Sequence, residues 1–440
     1  MFRLKTFVSR IGRSRTVRSA IAVGLVLVAA AGCGGGGGGG GGGSASLAGL
    51  AAGSGAAAAS TGGTPTGAAV DTAPNVIPLV VDTGPPAASG MVNVPYVSVT
   101  VCPPGSTNCQ TIDHVILDTG SSGLRLVASV LNDRSAFTPQ VDASGNRFAE
   151  CVQFVSGFTW GSVKLADIRI GGESASTVPV QLIGDPDAGS IPSSCSTTGA
   201  ASNTVATFGG NGVLGVGPFR QDCGRACTAM IIPGTYYVCP GGGACKPSVA
   251  ALAQQVANPV SRFATDNNGV LILLPAIPDS GALNVAGSLV FGIGTRSNNA
   301  LSGARVFALD QLGNFNTNFN GHNYSASFID SGSNFFFFPD TLGLPDCPQA
   351  PGFYCPSSTM SLSAVNTGAN GTNATVGFNI ANAENLFTGN RSATAFSNIG
   401  GTFPDIGAFD WGLPFFYGRS VFTAIEGAST PGGAGPYVAY

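Results

Sequence analysis

Two segments of this 440-residue chain follow one plan: HVILDTGSSGLRL (His114–Leu126) and ASFIDSGSNFFFF (Ala326–Phe338). Each reads as an apolar strand, then Asp-(Thr/Ser)-Gly-Ser, then a second apolar segment. They are separated by nearly half the length of the chain, which is the spacing of two structurally related units. A loop of this kind has chemical content. The glycine after each acid allows a tight turn and a close backbone approach. The hydroxyls on either side hydrogen-bond a carboxylate or complete a loop turn. If two such loops meet, Asp118 and Asp330 share one proton, because like charges that close cannot both ionise. Chance is a real competitor in a chain with 66 glycines, and a third copy, Asp82-Thr83-Gly84, does occur. Pro85-Pro86 follows it where the others have serine, so it is read as a decoy.

Between and around these motifs the texture is β. Tyr96–Cys102 and Val163–Ile170 alternate apolar and polar residues, the latter followed by Gly171-Gly172. Val270–Leu274 and Leu289–Ile293 are short apolar runs bounded by Gly, Pro and Asn. One segment, Lys246–Val256, reads best as a helix. An all-β chain of sandwich or barrel type is expected.

The N-terminus reads as a leader. Arg3, Lys5, Arg10, Arg13, Arg15 and Arg18 precede the apolar run Ala20–Cys33 with no acid among them, the pattern of a secretory signal. Ala30-Ala31-Gly32-Cys33 resembles the bacterial lipobox, which implies that Cys33 becomes a lipid-bearing N-terminus. Gly34 rather than Asp follows it, and in a Gram-negative host that implies the outer membrane. Residues 34–74 are Gly/Ala/Ser-rich, a flexible tether. The remainder is acidic overall and has no basic stripe, which argues against nucleic acid. Of 11 cysteines, ten remain once Cys33 is set aside, an even number suited to disulfides outside the cytoplasm. Cys102–Cys109 and Cys347–Cys355 are the easiest bridges; pairing among Cys223, Cys227, Cys239 and Cys245 stays open.

The order of motifs resembles that of pepsin-like aspartic peptidases from about Val76 onward. In that family a strand hairpin precedes the first Asp loop, as Tyr96–Cys102 does. A flap hairpin follows, resembled by FVSGFTWGSVKLADIRIGG (Phe154–Gly172). NGVLGVGPF (Asn211–Phe219) resembles the apolar-apolar-Gly segment that threads the loop. Pro339 after the second motif and GLPFFYGRSVFTAI (Gly412–Ile425) continue the likeness. The resemblance implies a bilobal pepsin-like fold, with lobes at 75–260 and 261–440. It implies Asp118 and Asp330 as the catalytic pair, Thr119 and Ser331 locking the loops together, and Ser121 and Ser333 holding the carboxylates beside Gly120 and Gly332. It further implies an aspartic endopeptidase acting as a monomer on peptide or protein substrates, with no cofactor and no metal.

There are departures. Phe154 stands at the flap tyrosine, and Arg125 at the tryptophan its hydroxyl contacts, so both halves of one hydrogen bond are replaced. Gly157 belongs to the same hairpin, and Trp160 is a candidate either to cover the cleft or to pack. Asp410, in Phe409-Asp410-Trp411-Gly412, is an acid where the family is apolar. The alternative is therefore an inactive binding or structural envelope protein on the same fold. FDWGLPFFYGR (Phe409–Arg419) also resembles a group of proteobacterial lipoproteins of unknown function. His114 and His322 are the two histidines, each read as structural or surface, and no HExxH, nucleophile elbow or phosphate loop occurs.

Overall fold

The first Asp loop is built by three strands whose sequence already dictates their faces. Pro95–Cys102 alternates so that Val97, Val99 and Val101 are buried while Ser98 is exposed. It pairs antiparallel with Gln110–Asp118, which ends on the acid. Ser122–Val127 carries the chain out of the loop, buried along its whole length. Gly212–Val216 then slots between the two, parallel to the entering strand (Gly215 opposite Asp118) and antiparallel to the leaving one (Gly215 opposite Gly123). A strand covered on both sides reads as a continuous apolar run, as Val213-Leu214 does.

The second loop repeats this weave. His322–Ile329 leads into Asp330, Phe336–Phe338 leads out, and the two-residue strand Asp410–Trp411 lies between them, parallel to the first and antiparallel to the second. The computed structural model, which describes residues 73–154, 157–241, 243–403 and 407–440, is all-β, with sheets of 17, seven and two strands. The leader, Cys33 and the tether up to residue 72 lie outside the described residues. Strands from both halves of the sequence enter the largest sheet: Val76–Val81 pairs with Val285–Phe291, and Gly269–Leu274 joins the latter to Arg419–Ala424. The described residues from Ala73 onward belong to one compact unit.

The core changes character along the chain. Around the first loop it is aliphatic, with Leu117, Leu124, Leu126, Val180 and Leu214 fully buried. Around the second it is aromatic: Phe409 stacks on both Trp411 and Phe338, and Phe378 and Phe336 meet Trp411 edge-on. Such pairs add about 0.5–1.5 kcal/mol each beyond the area they bury. Asn93 ties remote segments together. Its amide donates to the carbonyls of Asn334 and Phe396 and its Oδ1 accepts from Phe396 N and Tyr417 Oη, so a fully buried amide is satisfied.

Among the described residues five disulfides form: Cys102–Cys109, Cys151–Cys195, Cys223–Cys227, Cys239–Cys245 and Cys347–Cys355. Both expected local bridges are among them, and the four open cysteines pair as nearest neighbours. The helix expected over Lys246–Val256 does not form. Lys246–Pro247 is a short strand against Tyr236–Cys239, and Ala250 N bonds Cys227 O. The bridge from Cys245 back to Cys239 fixes the entry to this segment in extended form, and local propensity yields to it.

Candidate active site

Asp118 and Asp330 are brought together, both fully buried. Each carboxyl is gripped by its own loop. Asp118 accepts from Gly120 N at 2.7 Å and Ser121 Oγ at 2.6 Å; Asp330 accepts from Gly332 N at 2.8 Å, and its Oδ2 lies 2.9 Å from Ser333 Oγ. Gly120 N also reaches across to Asp330 Oδ1 at 3.2 Å, so one backbone N–H is shared between the two carboxyls. The glycines are dictated by this approach. A Cβ on Gly120 would lie 2.6 Å from Asp330 Cγ, and one on Gly332 would lie 2.8 Å from Asp118 Cγ.

The residues after each acid cross-link the loops. Thr119 N donates to Ser331 Oγ (3.1 Å), while Ser331 N donates to Thr119 Oγ1 (2.9 Å). Each hydroxyl then passes its own proton to the strand entering the other loop: Thr119 Oγ1 to Ile329 O and Ser331 Oγ to Leu117 O. Four buried hydrogen bonds thus close reciprocally, and the geometry is nearly two-fold. Burial raises the Asp330 carboxyl well above the usual range, and the neighbouring charges of Asp118 and then Asp410 push it in the same direction. Burial and like charge thus both favour the neutral form of Asp330. Asp82 has no part in this. Its Oδ1 caps a turn through Gly84 N and its Oδ2 lies 3.3 Å from His114 Nε2.

Over residues 71–440 the chain matches the family described as "Protein of unknown function (DUF3443)". It belongs to that family. No curated protein matches it.

What surrounds the pair in this DUF3443 chain departs from a plain carboxylate dyad on two sides. Behind the first loop, Arg125 is buried (1 % exposed) and donates to Glu150 Oε1 at 2.6 Å, to Asp222 Oδ2 at 3.0 Å and to Ser122 O at 3.0 Å. Burial works against its charge, but Glu150 and Asp222 outweigh that and keep the guanidinium protonated. Asp222 is pushed well above the usual range by burial and then by Glu150, against the pull of Arg125. Tyr236 Oη donates to Asp222 Oδ1 and accepts from Val256 N. Behind the second loop, Asp410 is buried and its Oδ2 lies 2.7 Å from Ser333 Oγ.

The hairpin residues are placed as follows. Phe154 is buried edge-on to Phe208, and its N bonds Gly157 O. A Cβ on Gly157 would lie 2.3 Å from Ala200 O, so this glycine admits the pairing with Ala200. Trp160 takes the packing role: it is buried against Tyr237 and bonds Gly189 O. Cys347, Cys355 and Glu384 bring ligand-type atoms near one another, but both sulfurs are bonded to each other and are not thiolates. Glu150, Asp222 and Tyr236 carried no signal in the sequence, since nothing local marks them. Asp410 did carry one, as an acid inside an otherwise apolar strand.

Proposed function

We propose that the chain is an aspartic-type endopeptidase with a bilobal pepsin-like fold, lobes at 75–260 and 261–440, carried on the bacterial envelope by a lipid on Cys33. The observation that supports this is the reciprocal locking of two Asp-(Thr/Ser)-Gly-Ser loops, with one backbone N–H, that of Gly120, shared between both carboxyls. A binding protein has no need of two buried acids held in contact. In the reaction, the ionised member takes a proton from a water as that water attacks the peptide carbonyl. The neutral member gives its proton to the carbonyl oxygen, forming a gem-diol. Collapse breaks the C–N bond, returns a proton to the leaving amine and regenerates the pair. Extended peptides with apolar residues beside the cut are the proposed substrates.

The second reading, an inactive binding or structural protein on the same fold, is favoured by Phe154 at the flap position and by the buried Arg125 cluster. Denatured casein across about pH 3–7, with and without pepstatin, separates them. Asp118→Asn and Asp330→Asn are each expected to lower the rate by about 10²–10⁴-fold or more. Absence of cleavage by the folded wild-type protein at every pH would sink the peptidase.

A further inference from the structure

Ser333 stands between two acids. Its Oγ is 2.9 Å from Asp330 Oδ2 and 2.7 Å from Asp410 Oδ2. A serine hydroxyl has one proton to donate and lone pairs with which to accept. It therefore cannot donate to both carboxyls, and one of these contacts must run the other way, from a protonated acid to the serine oxygen. On its far side Asp330 faces Asp118, with the Gly120 N–H bonded to an oxygen of each carboxyl. The result is a row: Asp118, Asp330, Ser333, Asp410. All four are buried.

Two arrangements of the row are consistent with its distances. If Asp410 is ionised, the Ser333 hydroxyl points to it, Asp330 donates to Ser333, and Asp118 is the ionised partner. If Asp410 is protonated, it donates to Ser333 and Ser333 donates to Asp330, which is then ionised; the row takes up one further proton from solvent, and that proton belongs to Asp118. The protonation of Asp410 and the position of the pair's proton are thus linked. We propose that Asp410 is a positioning residue: while ionised it draws the Ser333 hydroxyl, so that Asp330 keeps the proton and Asp118 is left as the base.

The surroundings favour the first arrangement. The ionisable groups acting on Asp330 are Asp118, from the strand Gln110–Asp118, and Asp410, from the strand Asp410–Trp411, and both push its carboxyl upward after burial has done so. The neighbouring strands add no cation to the row. Gly212–Val216 and Phe336–Phe338 have no ionisable side chain. His322–Ile329 carries Tyr324 and, at its exposed start, His322. Ser122–Val127 brings Arg125, whose guanidinium is bound to Glu150 and Asp222. Two negative charges at the ends of the row and a proton on its central acid place like charges as far apart as the row allows.

The consequence for catalysis rests on reading the pair as a peptidase centre; the proton placement does not. The test is therefore a titration of the full chain carrying ¹³Cγ-labelled aspartate, followed by NMR, with Asp118→Asn and Asp330→Asn spectra for assignment. In the wild-type protein the Asp330 and Asp410 carbons are expected to share inflections, because they titrate as a coupled unit. In Asp410→Asn the amide donates to Ser333, Ser333 donates to Asp330, and the highest inflection passes from Asp330 to Asp118. The Asp330 midpoint is expected to fall by about one pH unit or more. Independent Asp330 and Asp410 curves in the wild type, or an Asp330 midpoint unmoved in folded Asp410→Asn, would overturn the proposal. If Asp410→Asn does not fold, Ser333→Ala is the second variant. It keeps both acids but must uncouple their curves, and curves that stay coupled overturn the proposal too. Casein cleavage measured in parallel keeps the two readings apart. Its absence in the wild type counts against the peptidase alone, while its presence with an unmoved titration counts against Asp410 alone.

Discussion

The two Asp loops are near copies in sequence and in weave, yet the residues seven positions after each acid could hardly differ more. After Asp118 that residue is Arg125, buried and bound to Glu150 and Asp222; after Asp330 it is Phe337, buried against Phe335 and Phe403. The third strand inverts the contrast. Opposite Arg125 lies Val213, whereas opposite Phe337 lies Asp410. Each half thus buries a charged group beside its loop, but on different strands and with different partners. In the first half the charge is neutralised by an ion cluster at the back of the loop. In the second it is connected through Ser333 to the acid itself. The shared part, crossed bonds and close glycines, builds a pair of carboxyls. The unshared part makes that pair unequal.

Breaking the ion cluster should have the largest effect. Arg125→Met leaves the buried Glu150 and the half-buried Asp222 without their cation, and removing one partner of such a cluster costs about 3–5 kcal/mol. Phe337→Ala, at the same place in the other half, creates a cavity at a similar cost of about 3–5 kcal/mol. Their pH dependence should separate them. The Arg125→Met loss is expected to shrink toward acid pH as the stranded carboxyls take up protons, while the Phe337→Ala loss stays flat. Urea midpoints at several pH values measure this, and two parallel curves would contradict the assignment of Arg125 as a charge-balancing residue.

The difference between the halves also marks what was legible in the sequence. Asp118 and Asp330 stood out because their loops are local patterns, with the serine three residues on and the glycine two residues on doing the holding. The strands around them were legible for the same reason, through alternation and Gly/Pro boundaries. Arg125 showed only as a substitution, since its partners Glu150 and Asp222 are remote in sequence and nothing in either segment announces a contact. Lys246–Val256 misled because the Cys239–Cys245 bridge overrides its propensity. Trp160 left its role open, and only the packing of Tyr237 beside it decided the matter. Asp410 announced itself as an acid out of place, while its partner Ser333, already counted as a loop residue, gave no sign of serving two carboxyls.

The shared part can be tested by its symmetry. Thr119→Val and Ser331→Ala each remove one hydroxyl that accepts from the opposite loop and donates to the opposite strand. Each leaves a buried N–H and a buried carbonyl short of a partner, at a cost of about 1–3 kcal/mol. Because the bonds are reciprocal, the two losses are expected to be similar and the double variant to cost less than their sum. Denaturant unfolding of the four proteins closes this cycle. Strictly additive losses would mean that the two hydroxyls do not act as one lock.

The smallest effect is the pH slope of stability, and it sharpens the comparison because each half contributes an acid raised well above the usual range, Asp222 in the first and Asp330 in the second. Burial is the largest cause for both; the next is the charge of a neighbouring acid, Glu150 for Asp222 and Asp118 for Asp330. An acid whose folded-state pKa lies above its unfolded value of about 3.9 binds its proton more tightly in the native state. Its contribution is therefore complete below that unfolded value and is lost as pH rises through the folded value. Asparagine imitates the neutral acid and removes the loss. Asp330→Asn is accordingly expected to be less pH-sensitive than the wild type on the alkaline side of the ordinary aspartate range. Asp222→Asn should flatten the curve less, because it also withdraws a partner from Arg125 that partly repays the charged form. Urea midpoints across about pH 4–8 compare the two. A wild-type curve that instead climbs throughout that range, with neither variant flattening it, would show that the buried acids are ionised in the fold and that the inequality between the loops lies elsewhere.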